Sequence, residues 1–205
     1  MEKLLLSTAY FPPVQYMSKI KLYDEIFIER YENFGKQSYR NRSEIMSANG
    51  VISLSVPVEK ANSKTLIRDL KIVYRTNWQK LHFKGIESAY KNSPYYEYYI
   101  DDLMPFFEKK EKFLLDFNSA ILEAMLHFLQ LSKPINYTED YIRENIPGYR
   151  DMRNTIHPKA SHREEDTEFI PQPYRQTFSD RFPFHPNLSI LDLLFNTGPE
   201  AGRYL

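Results

Sequence analysis

The sequence predicts an α/β fold in which helices flank a mixed β-sheet, with an α+β arrangement as the second choice. Three observations support this class: an opening strand, helix and strand pattern, a hairpin signal at Asn49-Gly50, and later segments with helical periodicity. Of the 205 residues, 42% are hydrophobic, and a chain of this length buries about two thirds of the surface that its unfolded form exposes. We therefore expect one domain that spans residues 1–205.

The beginning of the chain supplies the strand, helix and strand pattern. Leu4 to Ala9 has the composition of a buried strand, and Pro12-Pro13 ends it. Apolar residues at three-residue spacing from Val14 to Ile20 predict a short helix, and Glu25 to Glu29 returns to a strand pattern. The turn after the first strand of an α/β sheet opens on the ligand crevice, so we expect Tyr10 to Tyr16 to line a site.

A β-hairpin is predicted at Asn49-Gly50, because this dipeptide supplies the positive φ angles that a type I′ turn needs. The dipeptide separates Ile45–Ala48 from the alternating apolar residues of Ile52 to Val58. Leu70 to Tyr74 also alternates between apolar and polar residues, which predicts a further strand.

Helical spacing and end signals predict four later helices. They are Trp78 to Ala89, a helix capped by Ser93 with Pro94 at its first position, a long core helix within Glu111 to Leu131, and a C-terminal helix capped by Asn187 or Ser189 and ended by Gly198. The segment Arg150 to Phe182 is rich in charge and proline and is predicted to be mostly loop.

The charge balance limits the classes of partner. The 27 basic and 27 acidic residues cancel, so no overall field attracts nucleic acid or a membrane surface, and any anion site must be local. The chain contains no cysteine, which excludes disulfides, thiolate nucleophiles and iron–sulfur clusters. No apolar stretch approaches the roughly 18 residues that span a bilayer. We expect a cytoplasmic protein that binds a small molecule, does not bind nucleic acid and does not insert into a membrane.

The best candidate for an anion site is the segment Lys36 to Arg42. It places Lys36, Arg40 and Arg42 among amide and hydroxyl donors, and guanidinium groups bind phosphate through two parallel hydrogen bonds. Exposed cations are also the commonest surface residues, so an ordinary solvated strand edge is the alternative interpretation.

Acid–base chemistry has one candidate among five histidines. His157 lies in a loop held by Pro158, which can present an imidazole to a substrate, although a purely structural role is the alternative. The histidine spacings match no zinc motif, so no metal site is predicted, and the cofactor is left open. The absence of a Walker loop and of a Gly-x-Gly-x-x-Gly fingerprint disfavours common NTPase and dinucleotide chemistry.

Three segments taken together resemble the WbqC-like family. They are Tyr10-Phe11-Pro12-Pro13-Val14-Gln15-Tyr16, Lys36 to Arg42 with the hairpin through Val56-Pro57-Val58, and Phe184-His185-Pro186-Asn187-Leu188-Ser189-Ile190-Leu191-Asp192 continued to Asn196-Thr197-Gly198. The similarity extends over nearly the whole chain. The sequence departs from the family pattern at Thr8-Ala9 and at Gln15, and it lacks the family's glycine-rich stretch before Tyr174. These departures suggest a divergent branch, in which the substrate can differ.

The resemblance implies a role in bacterial O-antigen or related envelope polysaccharide synthesis, as a transferase that decorates a sugar or amino sugar with glycine or an acyl group. The donor would be a phosphate-bearing sugar or an acyl donor, and the residues implied are Tyr10, Gln15, Lys36, Arg40, Asn41, Arg42, Ser189 and Asn196 for binding and His157 and Asp192 for catalysis. The alternative is a non-catalytic binding or assembly protein that recognises an anionic ligand or partner. Whether the protein is an enzyme, and its oligomeric state, stay open.

One spatial hypothesis joins the two ends of the chain. We expect the Tyr10 to Tyr16 loop and the helix Ser189 to Asn196 to form two walls of one pocket, because both must pack on the same core. A buried Asp192 carboxylate then needs a partner, and we expect Arg40, Arg42 or amides of the loop. The alternative is that Asp192 only ties its helix to a neighbouring loop.

Overall fold

The computed structural model describes residues 2–62, 64–144, 146–159 and 166–205, and it confirms the predicted α/β class. The strands are β1 (Lys3–Ser7), β2 (Ile26–Glu29), β3 (Arg42–Ser47), β4 (Gly50–Ser55), β5 (Ile135–Tyr137) and β6 (Tyr149–Asp151). The helices are α1 (Val14–Leu22), α2 (Trp78–Tyr90), α3 (Tyr96–Leu103), α4 (Pro105–Glu108), α5 (Leu114–Phe128) and α6 (Ile190–Thr197).

The main sheet has four parallel strands in the order β5-β2-β1-β6. Its central strand β1 places Leu4, Leu5 and Leu6 in the core with no exposed surface, as expected for a parallel strand covered on both faces. The antiparallel pair of strands β3 and β4 forms a separate two-stranded sheet. That sheet buries Ile45 and Leu54 in the hydrophobic core, and β3 lies next to α2. It is therefore held by packing and not by hydrogen bonds to an edge strand of the main sheet.

The hairpin is confirmed, but its turn differs from the predicted type I′. Ser47 pairs with Gly50, so the two turn residues are Ala48 and Asn49. Gly50 alone has a positive φ, +105°, and it stands at the first position of β4. A left-handed glycine after the turn returns the chain to the strand direction, which is the geometry of a turn followed by a glycine bulge.

Three strand assignments change in the structure. The predicted strand Leu70 to Tyr74 is wrong: it makes only the isolated bridges Val58–Ile72 and Lys71–Phe113, because its neighbours on both sides are irregular segments. Strands β5 and β6 were not recognised in the sequence. Each has three residues, and β6 lies at the start of the segment predicted as loop.

The helices follow the predicted periodicities. Helix α5 is the longest of the described part and buries Leu114, Phe117 and Ile121 on one face. Helix α3 begins at Tyr96, later than predicted, because Ser93 Oγ donates to the Tyr90 carbonyl and closes the preceding turn instead of capping α3.

Helix α6 has the predicted ends. The Ser189 hydroxyl accepts a hydrogen bond from the Leu191 amide, which caps its first turn. Gly198 follows its last residue with a φ of +57°, and a side chain there would overlap the Tyr95 ring. Both features fix where the C-terminal segment turns back to the core. In the described part of the chain, none of the helices has the length and apolar character needed to cross a bilayer.

Candidate functional site

The topology marks the carboxyl end of the parallel sheet as the place for a ligand. From β1 the chain passes through α1 to β2 on one side, whereas β6 pairs with the other side of β1. The strand order therefore reverses between β1 and β6. In open α/β sheets, ligands bind beyond the carboxyl ends of the strands at such a switch point.

A buried polar cluster lies at this switch point. Its members are Ser7, Glu32 and Arg40, which we call the edge cluster. Arg40 Nε donates to Glu32 Oε1 at 2.8 Å, and Arg40 Nη2 donates to Glu32 Oε2 and to Ser7 Oγ, the latter at 2.7 Å. The Ser7 hydroxyl in turn donates to Glu32 Oε2 at 3.1 Å. Glu32 and Arg40 are both buried, so this is a two-point ion pair away from water.

A second carboxylate ties the neighbouring strand ends together. Glu29, the last residue of β2, is fully buried and accepts hydrogen bonds from Thr138 Oγ1 and the Tyr31 amide at 2.7 and 2.8 Å. Arg153 lies 3.4 Å from Glu29 and also binds Asp151 at the end of β6. These contacts hold the carboxyl ends of β2, β5 and β6 in fixed positions around the edge cluster.

A narrow recess, the edge recess, opens between the ends of β1 and β6. Its volume of about 10 Å³ holds about one water molecule. Its walls are Leu6, Ser7, Thr8, Ala9, Tyr16, Tyr39, Arg40, Met152, Arg153 and Ile156. Burial raises the pKa of the Tyr16 hydroxyl, which therefore stays protonated and donates to the Ser7 carbonyl at 2.9 Å. The recess suits one small reacting group rather than a whole substrate.

The predicted anion segment divides between two places. Arg40 lines the edge recess, whereas Lys36, Asn41 and Arg42 line a separate groove of about 330 Å³. Lys36 is exposed, and the Asn41 amide donates to the Val56 carbonyl at 2.9 Å. Arg40 and Arg42 therefore line different cavities, and a shared phosphate site for the two stays a prediction.

Two residues of the Tyr10 loop have structural partners. The Tyr10 hydroxyl is buried and lies 2.9 Å from His82 Nδ1, and burial lowers the pKa of His82 to about 4. Gln15 exchanges hydrogen bonds with Asn187 and donates to Asp166 at 2.8 Å. Both side chains, which the family resemblance implied for ligand binding, are buried and bonded within the protein.

The predicted meeting of the Tyr10 loop with α6 is confirmed. The Val14 amide donates to the Leu188 carbonyl at 3.0 Å, the Ile190 amide donates to the Pro12 carbonyl at 2.8 Å, and the Ser189 hydroxyl donates to the Phe11 carbonyl at 3.1 Å. Phe11 has a φ of +37°, a strained conformation for a residue with a side chain. The two segments pack directly on each other, so they form an interface and not two walls of an open pocket.

Asp192, on α6, is fully buried. Its Oδ2 accepts from the Tyr174 hydroxyl at 2.6 Å and from the Gln176 amide at 2.8 Å. The prediction of a partner in Arg40, Arg42 or the loop amides is therefore wrong. Burial raises the pKa of Asp192, and the hydrogen bonds from neutral donors only partly oppose it. Asn196, predicted to bind ligand, donates to the Asp192 carbonyl at 2.7 Å and accepts from Thr177.

His157 follows Ile156, which lines the edge recess. Its Nδ1 accepts a hydrogen bond from the Lys159 amide at 3.1 Å. In a neutral imidazole this bond favours the tautomer with the proton on Nε2. Within the described ranges, no three His, Asp or Glu side chains are grouped so that they could hold a metal ion. His162 lies outside those ranges.

Sequence reasoning missed Ser7, Glu32 and Arg153. None of them belongs to a local motif, and the three come together only where β1, β2 and β6 end side by side. The single available signal was chain position, because each follows or ends a parallel strand.

Comparison with known proteins gives a family but no activity. The model of the WbqC-like protein family matches residues 8–157 and 159–204. An uncharacterized protein of Mycobacterium tuberculosis is 26% identical over 228 aligned positions, which cover 98% of this chain and 96% of the relative. No solved structure matches. Because the family model covers almost the whole chain, this protein is a member of the WbqC-like protein family.

Proposed function

We propose that this protein is a transferase of envelope polysaccharide synthesis, such as that of O-antigen, and that group transfer takes place at the edge recess. The observation that carries the proposal is the edge cluster at the switch point of the sheet: a serine hydroxyl bonded to a buried carboxylate, which an arginine holds by two contacts. This arrangement has the parts of a nucleophile, a base and a residue that orients the base.

The chemistry assigned to these groups is proton transfer. Glu32 accepts the proton of the attacking hydroxyl or amine while that atom forms its bond to the reacting carbon of the donor and the donor's phosphate or thiolate leaves. The attacking group is either Ser7 or an acceptor that takes the place of the Ser7 hydroxyl at Glu32 Oε2. In the covalent route the acceptor then attacks the group held on Ser7, its proton passes to Glu32, and the Ser7 oxygen leaves and takes a proton back from Glu32. Arg40 keeps both carboxylate oxygens in position throughout.

His157 has the complementary role in this proposal. With Nδ1 accepting from the Lys159 amide, Nε2 of the neutral ring carries the proton, and we assign it the role of donating that proton to a leaving group. Glu32 therefore replaces His157 as the base that the sequence suggested. The cytoplasmic location and the single-domain organisation of residues 1–205 belong to the same proposal.

A non-catalytic binding protein is the second candidate, and one observation favours it. Ser7, Glu32 and Arg40 already satisfy one another, and such closed networks also occur as purely structural supports. In that case the edge cluster only fixes the ends of the strands, and no donor is consumed.

A donor screen separates the two candidates. The full chain is heated with nucleotide sugars, acyl-coenzyme A species and aminoacyl donors, since a ligand at 100 times its dissociation constant stabilises a protein by about 2.7 kcal/mol. Donors that raise the melting temperature are then incubated with amino-sugar acceptors, and consumption is followed by mass spectrometry. A donor that stabilises the protein and is consumed supports the transferase. Stabilisation without consumption supports the binding protein.

Ser7→Ala and Glu87→Gln make the screen specific to the edge cluster. Ser7→Ala removes the hydroxyl at the recess, and a covalent mechanism then loses at least about a hundredfold in rate. If the acceptor attacks directly, Ser7→Ala keeps most of the rate. Glu87 is an exposed carboxylate on α2, and Glu87→Gln should leave consumption unchanged.

A further inference from the structure

The groove beside the Lys36 to Arg42 segment is separate from the edge recess. It is lined by Phe34, Lys36, Gln37, Asn41, Arg42 and Val58, with Lys60 and Glu59 at its rim, and has a volume of about 330 Å³. A cavity of this size falls at the lower end of the range for small-molecule sites. Residues 36–42 thus form part of both the groove and the edge recess.

Positive charge in the groove is not neutralised by the protein. Among the described residues, Lys36, Arg42 and Lys60 form no ion pair, and Arg42 Nε is buried without a hydrogen-bond partner. Glu59 is the one carboxylate in the lining, and it interacts with Lys71 at 3.9 Å. Since no described residue pairs with the Arg42 guanidinium, its remaining donors are left for an external anion in the groove.

The remaining walls indicate what else the ligand carries. Phe34 and Val58 are partly buried and pack on the hydrophobic core, so the groove has apolar lining held in place by the core as well as cations. Gln37 has a φ of +58°, a conformation that is costly for a residue with a side chain and that concentrates at binding sites. A ligand that fits both sides has an anionic group joined to an apolar or ring-bearing group.

We propose that this groove is a binding site for a phosphate monoester. The Arg42 guanidinium binds the phosphate, Lys36 and Lys60 add charge, and Phe34 and Val58 contact the organic part. The inference goes beyond the proposed function, because binding here requires no turnover and no residue of the edge cluster.

The test uses phenyl phosphate, inorganic phosphate and benzyl alcohol as probes of the full chain, by calorimetric titration at low salt. We expect phenyl phosphate to bind at least about threefold more tightly than inorganic phosphate, because its ring buries apolar surface. Benzyl alcohol should bind far more weakly than either. Affinity should fall as salt rises and as pH falls through the second phosphate pKa of about 6.

Variants locate the binding in the groove. Arg42→Gln should weaken phenyl phosphate binding by at least about tenfold, since it removes a charge-assisted fork. Arg42→Lys should give an intermediate loss, because the charge stays and the fork is lost. Lys91→Gln removes one exposed charge outside the groove, and its affinity should stay within about twofold of the wild type.

Several outcomes overturn the inference. The first is that phenyl phosphate shows no saturable binding below about 10 mM, which is weaker than a specific site of this kind needs to be. The second is that Arg42→Gln binds phenyl phosphate as tightly as the wild type. The third is that Arg42→Gln and Lys91→Gln lose the same affinity. If Arg42→Gln does not fold, the double variant Lys36→Gln with Lys60→Gln takes its place under the same criteria. Failure here leaves the donor screen unaffected, since that screen depends on the edge cluster.

Discussion

Two buried carboxylates, Glu32 and Asp192, have opposite surroundings. Glu32 is bound at both oxygens by Arg40, and its partners Arg40 and Ser7 line the edge recess. Asp192 is fully buried on α6 and accepts hydrogen bonds from the neutral donors Tyr174 and Gln176. Glu32 thus belongs to an ion pair next to a cavity. Asp192 instead joins α6 to the segment that contains Tyr174 and Gln176. Burial of an acidic side chain is therefore not enough to indicate a catalytic role. The residues that it contacts and the cavity next to it separate a catalytic from a structural role.

The contrast should appear first in stability. Arg40→Met removes the cation and leaves the Glu32 carboxylate buried without a counterion, so the free energy of unfolding should fall by about 3 to 5 kcal/mol. Urea denaturation followed by circular dichroism measures the loss. Arg68→Met is the control, because Arg68 pairs with Asp69 on the surface, and its loss should be below about 1 kcal/mol. Equal losses would mean that the edge cluster is not a buried pair.

The Asp192 side of the comparison depends on neutral donors. Tyr174→Phe deletes the hydroxyl that donates to Asp192 Oδ2 at 2.6 Å, while Gln176 still donates to the same oxygen. The loss of one hydrogen bond to a buried carboxylate should cost about 1 to 3 kcal/mol. The same denaturation series gives the value. Tyr98→Phe, on an exposed tyrosine of α3, should be neutral. An unchanged free energy of unfolding in Tyr174→Phe would show that the hydrogen bond from Tyr174 does not hold its segment to α6.

The smallest effect is a pH dependence of Asp192. Because burial raises its pKa in the folded state, protonated Asp192 favours folding below the ordinary carboxyl pKa of about 4, and that contribution is lost as pH rises through the raised value. Asp192→Asn does not titrate, so its stability relative to the wild type should improve from acid to neutral pH. At pH 7 the two should differ by about 1 kcal/mol or less. A relative stability that worsens as pH rises would contradict the raised pKa.

The sequence predicted the elements whose signals are local. The periodicity of α5, the Ser189 cap and Gly198 end of α6, and the glycine of the hairpin each depend on residues close together in the chain, and all appear in the structure. Strands β5 and β6 were missed because three residues are too few to show a period, and only pairing in the parallel sheet defines them.

The candidate site was harder to predict because its parts are distant in sequence. Arg40 was recognised as a cation, but its partner Glu32 and the Ser7 hydroxyl carry no motif, and only the topology brings them together. Asp192 was singled out from its place in a family motif, whereas its surroundings fit a structural role better. Side-chain partners, unlike helix ends, are set by tertiary packing that a single sequence does not reveal.

The central claim is that Glu32 serves the reaction and Asp192 serves the fold. The most direct measurement is the rate of donor consumption by Glu32→Gln and Asp192→Asn, each folded and compared with the wild type, using the donor that the screen identifies. We expect Glu32→Gln to lose at least about a hundredfold in rate, the size of a general-base contribution, while Asp192→Asn stays within about threefold of the wild type. The opposite pattern, with full activity in Glu32→Gln and a large loss in Asp192→Asn, would contradict the account.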